Sequence, residues 1–372
     1  MARAQPFSCG LTDGLLAEAA GVGLDRLHFD VEAICRAADA GRAIAERLGI
    51  EPQAPHLAGF AYPHVSTLGC EVTFPPDSEP GVRPCIRGPE DIDALREPDD
   101  YVASASEDTL KQELERGTPA GEGDSRVPRP SSYLGVRHGA SSDRDCLARG
   151  VVPRRLATLE ALKRVRPDAA NYIGHPLEGP VTTAVLLMGS SFFLLAQDDP
   201  ARAHRLLRFS VESGVHYARA ISSRLGGPIR PGPKWVPDDF AGMFGPARFG
   251  EFVAPYWDLL FERLEATERH VHSELLQVGH LPFLAELKLA SFDPSADQYL
   301  TPELLRDRCP VPFSVLIKDW EVRDLSPDDL QRLYRRIAAC EPAAISFTLP
   351  RLADEPKVRA LLDVAREWGV LV

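Results

Sequence analysis

"ERHVHSELL", residues 268–276, sets His270, His272 and Glu274 at alternate positions, with Val271 and Ser273 between them. Read as a strand, the stretch puts both imidazoles and the carboxylate on one face, because strand side chains alternate with a period of two. The alternative is the wet edge of a helix. The sequence on either side favours the strand, since "ELLQVGHLPFLAEL" follows as a helix and the same strand-then-helix rhythm recurs along the chain.

The other strand candidates are "PHLAGF" (55–60), "AANYI" (169–173), "PIRPGPKW" (228–235), "KLASF" (288–292), "VPFSVLI" (311–317), "AAISFT" (343–348) and "GVLV" (369–372). Helices are expected at 31–48, which closes on Gly49, and at 200–225, 246–265, 326–339 with Ser326 as its amino-terminal cap, and 354–367. Eight strands alternating with helices predict a single α/β domain over 1–372, a (β/α)8 TIM-type barrel. Residues 1–50 are read as a helical amino-terminal extension. Residues 102–150, dense in Ser, Gly, Pro, Asp and Arg, are read as a long inserted loop, flexible or closing over a site. An open doubly wound sheet is the competing fold, but no strand runs into a GxGxxG turn; "GVGLDR" (21–26) has no strand before it.

Composition narrows the function. The 372 residues are 44% hydrophobic and 26% charged, with a formal net charge of −12. So acidic a chain is a poor phosphate-backbone binder, and no nucleic-acid partner is expected. No apolar run approaches the ~20 residues a membrane span needs, and the start "MARAQPFSCG" lacks the apolar core of a secretory signal. The seven cysteines contain no CxxC pair, which points to reduced thiols and a cytoplasmic protein.

Four longer stretches resemble the uroporphyrinogen decarboxylase superfamily, which includes the cobalamin-dependent methyltransferases. They are "PDDFAGMFGPARFGEFVAPYWDLLFERLE" (237–265), "EGPVTTAVLLMGSSFFLLAQDDPARAHRLLRFSVE" (178–212), "YPHVSTLGCEVTFPPDSEP" (62–80) and "DLSPDDLQRLYRRI" (324–337). The resemblance covers roughly 25–100 and 165–372 and independently implies a TIM-type barrel. The chain departs from both best-known branches. It has no Arg-rich amino-terminal segment of the kind that binds porphyrinogen carboxylates. It also has no thiolate zinc site: where the methyltransferases carry H-x-C-G, this chain reads His272-Ser273-Glu274, and "SFTLPRLAD" (346–354) holds no cysteine.

A histidine with a carboxylate makes a harder site than thiolates do, one that suits a divalent metal, with zinc in the first place and iron or manganese as alternatives. His272 and Glu274 are the expected ligands. His175 and Glu178 of "NYIGHPLEGP" and Asp238 and Asp239 of "VPDDF" end neighbouring strands; they are the candidate catalytic groups, and His175, Glu178 or Asp239 could complete the ligand set. A carboxylate pair in a barrel mouth can also divide into an acid and a base. Candidate substrate contacts are Arg230, Lys234 and Trp235 in "RPGPKW", Tyr62 and His64 beside "HVSTLG", and Lys318 in "VLIKDW". His270, deeper in its strand, reads as a core histidine.

These residues predict a metal-dependent enzyme that transfers a methyl group to or from a small substrate or a corrinoid. A corrinoid protein is the expected partner, and a homodimer is consistent with the long charged helix faces. The alternatives are a metal-free decarboxylase or lyase that uses the mouth carboxylates, and a non-catalytic barrel that binds a corrinoid or another ligand.

Overall fold

A computed structural model describes residues 5–95, 146–295 and 297–371. The insertion expected at 102–150 therefore lies outside the described residues up to position 145; Cys146–Ala148 form a short 3-10 turn.

The chain forms an α/β structure with two parallel sheets. The first holds four strands in the order β7 (Ser314–Ile317), β8 (Ala344–Leu349), β1 (Gln5–Leu11) and β9 (Gly369–Leu371). The second orders β4 (Gly232–Pro237), β5 (Ala266–His272) and β6 (Ser291–Asp293). A parallel bridge between Phe292 and Phe313 joins the edges of the two sheets. A separate antiparallel hairpin pairs β2 (Glu71–Thr73) with β3 (Gly81–Arg83).

"ERHVHS" is a strand as the alternation predicts, and helices follow it. Ser326 caps the helix Pro327–Ala338 by accepting from the Asp329 amide at 3.2 Å. The helix Pro200–Leu225 spans the predicted 26 residues. The predicted 246–265 helix is instead two, Pro246–Phe252 and Ala254–Arg263, with a break at Val253 beside Pro255, whose ring cannot donate a helical hydrogen bond.

Three strand expectations need correction. Residues 5–11, read as part of a helical extension, form β1, which lies between β8 and β9 in the first sheet. Residues 55–60 and 169–173 form no strands, and the second segment bends at Asn171 and Ile173. They meet through the Ala170 amide on the Pro55 carbonyl at 2.9 Å, and His175 bonds Phe60 at 2.8 Å. Pro55, Pro63 and Pro176 lack the donors a ladder needs, and Gly174 turns at φ 132°. Among the described residues the eight-stranded closed barrel is accordingly not found: the two sheets are open, and the strand count differs.

The core lies between the sheets and their helices. Ile345, Phe347 and Leu349 alternate into it from β8, and the Phe7 and Phe347 rings stack with centroids 6.4 Å apart. Val236, Val271 and Phe292 lie in register across the second sheet and are fully buried. The opposite face therefore carries Pro237, His272 and Asp293 as one row and Trp235, His270 and Ser291 as the next. Among the described residues no single helix is long and apolar enough to cross a membrane.

Candidate functional site

The site begins with an aspartate pair whose members differ in surroundings. Asp238 is fully buried just past β4. Its carboxylate accepts from the Thr182 amide at 2.7 Å, the Thr182 hydroxyl at 2.8 Å, the Val181 amide at 3.3 Å and the Trp257 indole at 2.7 Å. It thus caps the amino end of the helix Pro180–Met188 from another strand, where negative charge is favoured. Burial pushes its pKa up to about 6, against those donors. A carboxylate with every oxygen engaged holds architecture.

Asp239 faces the other way. Its side chain is 43% exposed, yet Oδ1 is buried, has no hydrogen-bond partner and lies 3.2 Å from His272 Nε2. On the far side of the same ring, His272 Nδ1 donates to Asp293 Oδ2 at 3.0 Å. Burial works against charge on His272, but the two carboxylates outweigh it and raise its pKa to about 10. The imidazole is therefore a cation at neutral pH, clamped between two anions. Asp293 is half-buried; partial burial works to raise it, but His272 and the Ser295 amide at 2.9 Å hold it below the usual carboxylate range.

His175, Glu178 and Tyr62 adjoin this row. Burial and then the His272 cation lower the pKa of His175, which leaves it neutral. Glu178 is 7% exposed, and burial, then Asp239 and Asp238, raise it well above the ordinary carboxylate value. Burial, followed by Glu178 and Asp239, raises Tyr62. Around this row the two histidines shift in opposite directions, His272 up and His175 down, and so do the carboxylates Glu178 and Asp293, the arrangement that separates acids from bases.

The remaining predicted residues lie elsewhere. Glu274 is past the end of β5, in a bend where Leu275 takes φ 64°, so the alternation stops at His272 and Glu274 makes no ion pair with it. His64 is buried against the helix Pro200–Leu225, with Nε2 3.1 Å from Ser213 Oγ. Arg230 precedes β4, and Lys234 bonds its carbonyl at 2.7 Å; at about 3.3 Å per strand residue this is the end of β4 remote from Asp239. Trp235 stacks on His270, centroids 6.0 Å apart, one row below His272. Lys318 is tied to the Asp297 carbonyl at 2.7 Å.

Asp293 was not among the sequence candidates. It follows "KLASF" by one residue; the signal was an acidic residue at the carboxyl end of the strand next to β5. Thr182 and Trp257, which fix Asp238, carry no sequence signal of that role.

A ligating imidazole must offer a lone pair. Both nitrogens of His272 already face carboxylate oxygens, Glu274 lies past the end of β5, and among the described residues no group of three His, Cys, Asp or Glu side chains is gathered to hold an ion. The expected His272–Glu274 donor set does not fit a divalent metal.

No family model and no curated protein matches this sequence. Among solved structures, the chain resembles a methyltransferase from Methanosarcina mazei with a TM-score of 0.64, covering 98% of this chain and 94% of that one at 15% identity. That likeness establishes the fold.

Proposed function

We propose that this chain is an enzyme that transfers a methyl group to a small hydroxyl- or thiol-bearing substrate, and that the Asp239–His272–Asp293 row is its catalytic centre. The observation that carries the proposal is the buried Asp239 Oδ1, whose contact is the His272 imidazolium at 3.2 Å, with that ring fixed from its far side by Asp293. The fold shared with a methyltransferase supports it. So does a reading of the two parallel sheets as the wall of one barrel-like ring, with its chemistry at the strands' carboxyl ends.

Asp239 withdraws the acceptor's proton as the acceptor's lone pair takes up the methyl group. His272 stabilises the negative charge that develops there, and Asp293 keeps its ring oriented. Trp235, half exposed one row below, offers a flat face to the substrate. The methyl donor is a second substrate, a methylated corrinoid or the protein that carries one, whose cobalt–carbon bond would break with its electron pair leaving on the demethylated corrinoid. No step depends on a bound divalent metal.

The test uses methylcobalamin as donor and a panel of thiols and alcohols as acceptors, with demethylation followed by absorbance. Asp239→Asn and His272→Gln should each slow turnover about 100-fold or more, with the fold intact by circular dichroism. Wild-type rates in both variants, or no demethylation by the native protein with any acceptor, would reject the proposal.

A second reading rests on Glu178. A buried carboxyl raised well above its ordinary value by burial and the neighbouring aspartates is a candidate general acid for decarboxylation or elimination. It predicts release of carbon dioxide or an alkene from carboxylic-acid substrates, abolished by Glu178→Gln and indifferent to methylcobalamin.

A further inference from the structure

Cys70 immediately precedes β2, and Cys85 lies two residues past β3. Antiparallel pairing of Glu71 with Arg83 draws the two ends of the hairpin together, and the two sulfurs meet at 3.4 Å. Cys70 is buried and Cys85 half-buried, so the pair has one protected and one approachable thiol. The Cys70 Sγ also lies 3.6 Å from the Leu186 carbonyl, and the Cys85 and Ile86 amides both donate to Leu187 at 3.0 and 2.9 Å. The pair is thereby pinned to the carboxyl end of the helix Pro180–Met188, whose amino end is capped by Asp238.

We propose that Cys70 and Cys85 are a peroxide-responsive dithiol that closes to a reversible disulfide. The Cys85 thiolate attacks one oxygen of hydrogen peroxide, breaking the O–O bond to give a sulfenic acid and hydroxide. The Cys70 sulfur then attacks the Cys85 sulfur and expels the sulfenic oxygen, which leaves as water with the Cys70 proton. Two thiols lose two electrons, and the peroxide is reduced to two waters. The sulfurs need close only from 3.4 Å to the ~2.05 Å of a disulfide.

The thiols' environments agree with these roles. The Cys70 hydrogen bond lowers the Cys85 pKa, favouring thiolate there, while the same contact and burial raise Cys70. Burial pushes Cys9 up to about 12 and also raises Cys35, Cys309 and Cys340, which makes them slower competitors.

The experiment treats the reduced full-length protein with hydrogen peroxide, blocks the remaining thiols with iodoacetamide under denaturing conditions, and digests with trypsin. Residues 48–87 contain no internal site except Arg83–Pro84, which resists cleavage, so one peptide carries both cysteines. The expected product is that peptide two hydrogens lighter and unalkylated, with dithiothreitol restoring double alkylation. In Cys70→Ala the closure should stop, and Cys85 should accumulate as a sulfenic acid trapped by dimedone. Cys85→Ser should form neither product. Two alkylated thiols in the peptide while other cysteines oxidise, or closure surviving in either variant, would overturn the proposal. A thermal melt of each variant identifies misfolding. If Cys70→Ala is misfolded, the native peptide and Cys85→Ser decide.

Discussion

His272 brings together in one ring the features on which the proposed chemistry depends: a strand end, two carboxylates and a charge. Its folded pKa of about 10 lies above the ordinary 6.5. The stability it contributes is therefore fully present below pH 6.5 and is lost as pH rises through about 10. Thermal melts between pH 7 and 10 should show Tm falling in the native protein, with a shallower fall in His272→Gln; equal slopes would mean the clamp does not hold the proton. On the acid side His64 works in the opposite sense. Burial keeps it neutral with a pKa of about 3, so its contribution is lost as pH drops below 6.5, when the unfolded chain takes up a proton that the native chain refuses. Adjacent carboxylates diverge just as sharply. Asp238 and Asp239 read alike in "VPDDF", yet one is sealed by four donors and the other sets an oxygen 3.2 Å from the His272 ring. The sequence shows that both stand at a strand end. Which of them faces the site depends on Thr182 and Trp257, residues 56 and 19 positions away.

The helix Pro180–Met188 is the element that turns strand geometry into a site. Its amino end is capped by Asp238, and Gly179 just before it packs so closely on Asp238 that an added Cβ would overlap that side chain. Gly179→Ala should therefore lower stability by about 1–3 kcal/mol through overpacking. Asp238→Ala should cost about 3 kcal/mol or more by stranding the Trp257 indole and the helix amides. Urea unfolding followed by tryptophan fluorescence measures both, and losses below 0.5 kcal/mol would show that the cap is dispensable. At this scale the sequence was a good guide wherever periodicity was long. The helix Pro200–Leu225 and the cap at Ser326 stand where the pattern puts them. It was a poor guide at "PHLAGF" and "AANYI", where apolar composition suggested strands but prolines removed the donors. It failed at "QPFSCGL" too, where a seven-residue strand begins with a Gln-Pro pair and shows little alternation. It was also two residues too generous at Glu274, because nothing in "HSELL" marks the turn that ends β5 at His272.

Across the whole molecule, the donor geometry gives a direct expectation about metals. If the His272 clamp is closed by carboxylates and not by a cation, prolonged dialysis against EDTA should leave both Tm and methyl-transfer activity unchanged. A Tm drop reversed by zinc, iron or manganese would restore the metal-dependent reading. The α/β class and the parallel strands were legible from the strand-helix rhythm. Barrel closure was not legible, because it is a property of how edges meet: here a single Phe292–Phe313 bridge spans one junction, and segments that form no strand lie at another.

The pairing of β9 with β1 sets Gly369 opposite Gln5. In space the polypeptide comes back to where its first strand lies, so its covalent order is only one way of cutting a nearly circular path. A join of about five residues, each reaching about 3.3 Å, would link Leu371 to Gln5. A new opening at Gly226–Gly227, where a Cβ would meet nothing within 4 Å, would leave each parallel ladder uncut. A circular permutant of that design keeps His272, Asp239 and Asp293 on one uninterrupted stretch beginning just before β4, with β1 arriving later in synthesis to complete its sheet.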